Sequence, residues 1–166
     1  GQIGGLGGKN TNNLAKETDL AIAIGTKLAD FTTGSWANFE NENFKLVSIN
    51  VSRFDANKHL AQAVVGDAKV SLEELSLALG NWKAEDEWNN KSQKELQEWN
   101  KHIDKESAPT NQEIPSYVQA VGAIYRNSDP TDIAVTAAGG LVGEVAQVWR
   151  PRELNTHETE WGFSCM

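Results

Sequence analysis

Leu20-Ala21-Ile22-Ala23-Ile24 is an unbroken apolar run of strand length that stops at Gly25. It has neither the alternation of a half-wet strand nor the spacing of an amphipathic helix. It therefore predicts a strand buried on both faces, as in a parallel sheet. Leu46-Val47-Ser48-Ile49-Asn50-Val51 predicts a second such strand, and Ala63-Val64-Val65 before Gly66 a short third one. A parallel sheet needs helical crossovers, and the intervening sequence supplies them. A short helix is expected over Thr11–Glu17, with Thr11 or Asn12 as cap. A firm one is expected over Ala68–Leu79, stopped by Gly80 and lined on one face by Leu72, Leu75 and Leu79. Ser71 and Glu74 read as a capping pair on its first turn. Residues 26–45 read as polar and irregular, with Thr32-Thr33-Gly34 as a turn.

The sequence then changes character. Residues 81–107 are rich in Lys, Glu, Asn and Gln, punctuated by Trp82, Trp88 and Trp99. They predict a solvated helical connector that docks its tryptophans on neighbours and ends before Pro109. Ser116, after Pro115, caps a further helix with Tyr117, Val118, Val121, Ile124 and Tyr125 in one stripe. Asp132–Thr136 predicts a strand, Ala137-Ala138-Gly139-Gly140 a tight turn, and Leu141–Val148 a helix. The fold class expected is α/β: a parallel-sheet, Rossmann-like unit over residues 1–80, a helical connector over 81–113, and the start of a second α/β unit over 114–166. The glycine-rich opening without a strand before it, and the close at Phe163-Ser164-Cys165-Met166, predict an interior piece of a longer protein.

Charge and cysteine content remove several function classes. Fifteen Lys and Arg against 23 Asp and Glu give a net charge of -8, which disfavours nucleic acid and a polybasic membrane anchor. Cys165 is the single cysteine, so no intrachain disulfide or multi-cysteine zinc site can form, and a reducing cytoplasm fits. His59, His102 and His157 are far apart, and nothing in their spacing points to a metal. No run approaches the ~20 apolar residues of a membrane-spanning helix.

Three motif fragments fail on inspection. Gly5-Leu6-Gly7-Gly8-Lys9-Asn10 approaches a dinucleotide loop and a P-loop, but Asn10 stands at the decisive position of each. Gly162-Phe163-Ser164-Cys165-Met166 begins like a nucleophile elbow, but Met166 replaces its last glycine. Gly66-Asp67-Ala68 with Asn89-Asn90 resembles a magnesium–diphosphate signature, yet Ala68 stands for glycine and the Asn pair sits in a charged helical run. Asp67 reads instead as the cap of the following helix. The strongest local feature is Thr136-Ala137-Ala138-Gly139-Gly140, where a strand runs into small residues and a helix N-terminus. Free amides there suit an anion, and a plain strand–helix corner is the equal alternative. The turns at Gly25-Thr26-Lys27 and Asn50 lie at strand carboxyl ends, the edge that ligands favour in α/β sheets, and ordinary surface loops are the alternative for each.

Read in order, Thr18–Leu28, Asp30–Gly34, Phe54–Lys58 and Val65–Ala68 resemble the central domain of thiamine-diphosphate enzymes of the acetolactate synthase type. Asp30–Trp36, Thr136–Leu141 and Gly162–Met166 narrow the resemblance to the trihydroxycyclohexane-1,2-dione acylhydrolases of myo-inositol catabolism. Some of their relatives are called malonic semialdehyde oxidative decarboxylases. The resemblance implies a thiamine-diphosphate- and Mg2+-dependent enzyme that hydrolyses a carbon–carbon bond of a small cyclic dione. It also implies a homo-oligomer, with the activating glutamate and the metal motif in other parts of its own chain. No catalytic residue and no metal ligand falls in this stretch under that reading. The cofactor-binding positions implied are Gly139, Gly140 and Leu141 at the diphosphate, the Ser164 carbonyl at the 4'-amino group, and Met166 propping the bent cofactor. Some superfamily relatives hold FAD or ADP in the central domain, at positions matching Gly25, Thr26, Lys27, Asn50, Asp67 and Ala68. Lys27 stands there for the usual Arg and Asn50 for the usual Asp, and Lys cannot reproduce Arg's planar fork. A lyase of the acetolactate synthase type, a malonic semialdehyde decarboxylase and a non-catalytic nucleotide-binding module are the alternatives.

Overall fold

A computed structural model describes residues 1–159. In chain order the elements are α1 (Lys9–Glu17), β1 (Leu20–Ile24), α2 (Asp30–Thr33), β2 (Lys45–Asn50), α3 (Arg53–Ala56), a 3-10 turn (Lys58–Leu60), β3 (Gln62–Val65) and α4 (Ala68–Leu79). They continue with α5 (Asp86–Glu106), α6 (Tyr117–Asn127), β4 (Ala134–Thr136), α7 (Leu141–Val148) and β5 (His157–Thr159). The chain divides into two compact units. One comprises Ile3–Gly5 and Asn12–Lys94; the other comprises Gly1–Gln2, Leu6–Thr11 and the chain from Glu95 onward.

The first unit is an α/β layer with a three-stranded parallel sheet in the order β1-β2-β3. Ala21 pairs with Leu46 and Ile24 with Ile49; Ile49 in turn pairs with Val64. The expected strands are present within a residue of their ends. The burial of β1 differs from the expectation of two covered faces, whereas that of β2 meets it. Leu20, Ile22 and Ile24 are 47%, 43% and 40% exposed, whereas Ala23, on the opposite face, is buried. β1 is an edge strand, so its large side chains are only partly covered, whereas Ile49, on the same face of the central strand by register, is buried. The other face buries Ala23 and Leu46 with Ser48 and Asn50, so the central strand β2 is covered on both faces.

Local chemistry explains most helix ends, with two corrections to the expected caps. α1 starts at Lys9, so Thr11 and Asn12 lie inside it. The Asn12 side chain reaches back instead, accepting from the Gly4 N–H at 2.8 Å and donating to the Gly4 carbonyl at 3.0 Å. α4 is capped by Asp67, whose carboxylate accepts from the Val70 N–H at 3.0 Å. Ser71 and Glu74 therefore form no capping pair, because the helix has already begun at Ala68. Leu72 and Leu79 stay 41% and 43% exposed, and no residue of α4 is fully buried. The stretch read as irregular holds the one-turn helix α2.

The second unit packs α5, α6 and α7 around Ile103, Val121, Val145 and Val148, with Trp99, Val118 and Trp149 against them. α6 opens with a full capping box. Ser116 Oγ accepts from the Gln119 N–H at 3.2 Å, and Gln119 Oε1 accepts from the Ser116 N–H at 2.9 Å. The predicted stripe on α6 divides: Val121 is buried, while Tyr117 and Ile124 are exposed. Of the connector tryptophans, Trp99 docks on the core as expected, but Trp82 precedes α5 and is 66% exposed. β4 pairs in parallel with β5, a strand the sequence did not announce. Among the described residues no helix is long and apolar enough to cross a membrane.

Candidate functional site

The corner between β4 and α7 is built from small residues. β4 ends at Thr136, and Ala137 to Gly140 turn the chain into α7. Gly139 has φ +104, a backbone conformation that a side chain would strain. Gly140 is the N-cap of α7 and has no side chain to satisfy the first helical amides. Those N–H groups, at the positive end of the helix dipole, have no capping side-chain oxygen. A cavity of about 390 Å3 opens beside them. It is lined by apolar residues such as Val121, Val135, Leu141, Val145 and Trp149, with Thr136 also among them. The arrangement can hold an anionic group on backbone amides beside an apolar body.

Of the positions implied for a cofactor, Gly139 and Gly140 form this turn and Leu141 lines the cavity. Ser164 and Met166, with Cys165 and the Gly162–Met166 motif, lie outside the described residues. Among the described residues no three His, Cys, Asp or Glu side chains gather as a metal site.

A polar chain at the same edge was not anticipated. Parallel pairing sets Ala134 opposite His157 and Thr136 opposite Thr159. The Thr136 and Thr159 hydroxyl oxygens are 3.0 Å apart, and Thr159 Oγ1 is 3.2 Å from His157 Nε2. The only local signal was the alternation His157-x-Thr159, too short to announce a strand.

The second group of positions lies along the carboxyl edge of the β1-β2-β3 sheet. The Gly25 N–H, just past β1, donates to the Ile49 carbonyl at 2.9 Å, and the Gly66 N–H, just past β3, donates to the Asn50 carbonyl at 3.2 Å. Asn50, at the end of β2, is buried, and its side chain links the two neighbouring loops. Its Nδ2 donates to the Thr26 carbonyl at 3.2 Å, and its Oδ1 accepts from the Ser52 N–H at 2.9 Å. Asp67 holds the first turn of α4 with Ala68 as its first residue. Topology thus brings Gly25, Thr26, Asn50, Asp67 and Ala68 to one edge. Asn50 Nδ2 and Oδ1, and Asp67 Oδ1, already bond to backbone.

Around this edge His59 stacks on Trp36 with ring centroids 4.1 Å apart, and its Nε2 lies 3.2 Å from the Leu28 carbonyl. Leu28, Trp36 and His59 all have positive φ (45, 70 and 56), a local backbone cost that the packing must offset. Lys58 Nζ is 2.9 Å from Asp55 Oδ1. The hydrogen bond from Lys58 is the main cause that lowers the Asp55 carboxyl below its ordinary value; partial burial opposes it, and Ser52, the Lys58 charge and Lys27 add to the lowering. A lowered carboxyl stabilises the fold above its unfolded value and loses that contribution as pH falls through the folded one. A carboxyl-carbon NMR titration should give Asp55 a midpoint below that of an unpaired aspartate. Lys58→Met should move it upward; an unchanged midpoint would refute the assignment.

Residues 1–75 match the family model described as the thiamine pyrophosphate enzyme, central domain. Over its whole length the chain is 32% identical, across 190 aligned residues, to a 3D-(3,5/4)-trihydroxycyclohexane-1,2-dione hydrolase of Clostridium tetani, and covers 30% of that protein. It is 34% identical across 193 residues to the protein of the same name from Bacillus anthracis, again covering 30%. With that of Geobacillus thermodenitrificans the identity is 31% across 189 residues, covering 29%. The chain thus spans about 30% of the length of these curated relatives.

Proposed function

We propose, on the premise that residues 1–75 belong to the thiamine pyrophosphate enzyme central-domain family, that this chain is part of a thiamine-diphosphate-dependent hydrolase. Its substrate is a trihydroxycyclohexane-1,2-dione, whose ring it opens at a carbon–carbon bond in inositol degradation. The observation that carries this reading is the identity of 32% running through both units to a hydrolase named for that substrate. Residues 1–80 then belong to the central domain, 81–113 to a helical connector, and 114–166 to the start of the domain that takes the cofactor's diphosphate.

In this reading the β4–α7 corner receives the diphosphate. Gly139 and Gly140, lacking Cβ atoms, let the backbone come close to phosphate oxygens, and the uncapped amides of α7 donate to them. Leu141 and the apolar lining exclude water from the adjoining part of the ligand. Ser164 and Met166 take the aminopyrimidine and the bend of the cofactor. When bound, thiamine diphosphate supplies the electron sink for the cleavage; the protein binds and orients. Mg2+ is held by residues elsewhere in the longer protein, and the working enzyme is a cytoplasmic homo-oligomer acting on a small molecule.

The test is the purified protein that carries this stretch, assayed for ring opening of the dione with and without thiamine diphosphate and Mg2+. Cofactor-dependent ring opening supports the reading. Turnover of malonic semialdehyde or pyruvate in its place would move the protein to one of the other branches named above. FAD or ADP at Gly25, Thr26, Lys27, Asn50, Asp67 and Ala68 ranks second, because Asn50 and one oxygen of Asp67 already bond to backbone, and Lys27 and Asn50 stand for the usual Arg and Asp. A thermal-shift panel of ADP, FAD and NAD decides it: a specific ligand raises Tm by mass action.

A further inference from the structure

We propose that His157 is a positioning residue. Through Thr159 it aims the hydroxyl hydrogen of Thr136 at an oxygen of an anionic ligand seated on the Thr136–Leu141 corner. The proposal rests on the reading above that this corner takes a diphosphate, and adds residues that the reading does not use. His157 and Thr159 share one face of β5, and Thr136 lies on the same face of β4 by register. His157 Nε2, Thr159 Oγ1 and Thr136 Oγ1 form an unbroken chain with steps of 3.2 and 3.0 Å. Thr136 is the last residue of its strand and lines the cavity beside the uncapped turn.

Such a chain is directional. A threonine hydroxyl has one hydrogen to donate, so an accepting Nε2 commits the Thr136 hydrogen to Thr159, and a donating Nε2 allows its release. If Nε2 accepts, Thr159 donates to it and Thr136 donates to Thr159. Thr136 then turns only lone pairs toward the ligand, which repel a phosphate oxygen. If Nε2 carries the hydrogen, it donates to Thr159, whose own hydrogen can then go to Thr136 and leave the Thr136 hydrogen free. Its remaining acceptor among the described residues is the Glu158 carbonyl at 3.5 Å, the outer limit of a hydrogen bond. An anion at the corner selects this second direction. The strand paired with β5 carries no titratable side chain, since β4 is Ala134, Val135 and Thr136, and Glu158 on β5 alternates to the opposite face.

The test uses the 15N-labelled chain with inorganic pyrophosphate as the probe. His157 should give the Nε2-protonated tautomer, identified by its loss in His157→Gln. Thr136→Val and Thr159→Val, which keep the β-branched shape of the strand, should each weaken pyrophosphate binding by about threefold to tenfold, the size of one hydrogen bond. Thr159→Ser should restore affinity and the Nε2 signal together, which a purely structural role would not require. An imidazole protonated at Nδ1 with a bare Nε2, or Thr159→Val binding as tightly as the parent chain, would overturn the proposal. If the parent chain binds no pyrophosphate, the reading of the corner fails and the ligand half of this proposal with it. Separately, a bare Nε2 would show that the Thr136 hydrogen is committed to Thr159.

Discussion

Gly4→Ala is expected to cost the first unit about 3 kcal/mol or more, from two effects that add. Gly4 has φ +93, where an L side chain is strained before it meets any neighbour. A Cβ built there would lie 1.8 Å from the Phe31 carbonyl oxygen and 2.6 Å from that of Thr32. Both are backbone atoms, so no rotamer change can make room. Nor can the segment move away easily. Asn12 clamps both polar groups of the Gly4 backbone and is itself held by Asn38 Nδ2 at 3.0 Å, and the Gly5 N–H donates to Phe31 at 2.8 Å. Chemical denaturation followed by circular dichroism measures the loss. Parent-like stability would mean that the glycine loop does not lie against the α2 segment in solution.

Gly122→Ala is the second large effect, and its sign depends on which of two opposing terms wins. Inside a helix, alanine is favoured over glycine by about 1 kcal/mol. Here the added Cβ would lie 2.6 Å from both the Cβ and the carbonyl oxygen of Ser107. That carbonyl also accepts from Arg126 Nη1 at 2.6 Å, so pushing Ser107 away breaks a buried tie as well. Overpacking against backbone costs about 1–3 kcal/mol, and the lost hydrogen bond about 1 more. The net expectation is a destabilisation of about 2 kcal/mol, read as a lowered denaturation midpoint. A variant more stable than the parent would show that α6 can slide off the end of α5.

How much was legible depended on whether the controlling interaction was local. α4 matches its expected range to the residue because Asp67 and Gly80 punctuate it and each acts within a turn of its own position. The Ser71–Glu74 pair misled because the same letters recur inside a helix by composition alone; only the first of two candidate caps finds free amides. β5 was missed because His157-Glu158-Thr159 carries no apolar signature, and its existence depends on pairing with β4 across a long excursion of chain. Asp55 and Lys58 are three residues apart, so their pairing is local, yet the smaller pull of Lys27 on the same carboxyl is not.

The site divides in the same way. Thr136–Leu141 stands out in the sequence because a strand, small residues and a helix start follow one another directly. Thr136, Thr159 and His157 joined in one chain of hydrogen bonds do not, since that needs a register. The sequence by itself determined an α/β chain with parallel strands and told where β1 to β4 and most helices stop, because apolar runs, glycines and capping side chains act over a few residues. Only the tertiary structure decided that β1 sits at a sheet edge with its large side chains partly exposed, that Gly4 and Gly122 are steric necessities, and that a histidine connects to Thr136 at the β4–α7 corner through the Thr159 hydroxyl. Those outcomes depend on which distant backbone segments meet, and at what register, and no short window of sequence contains both partners.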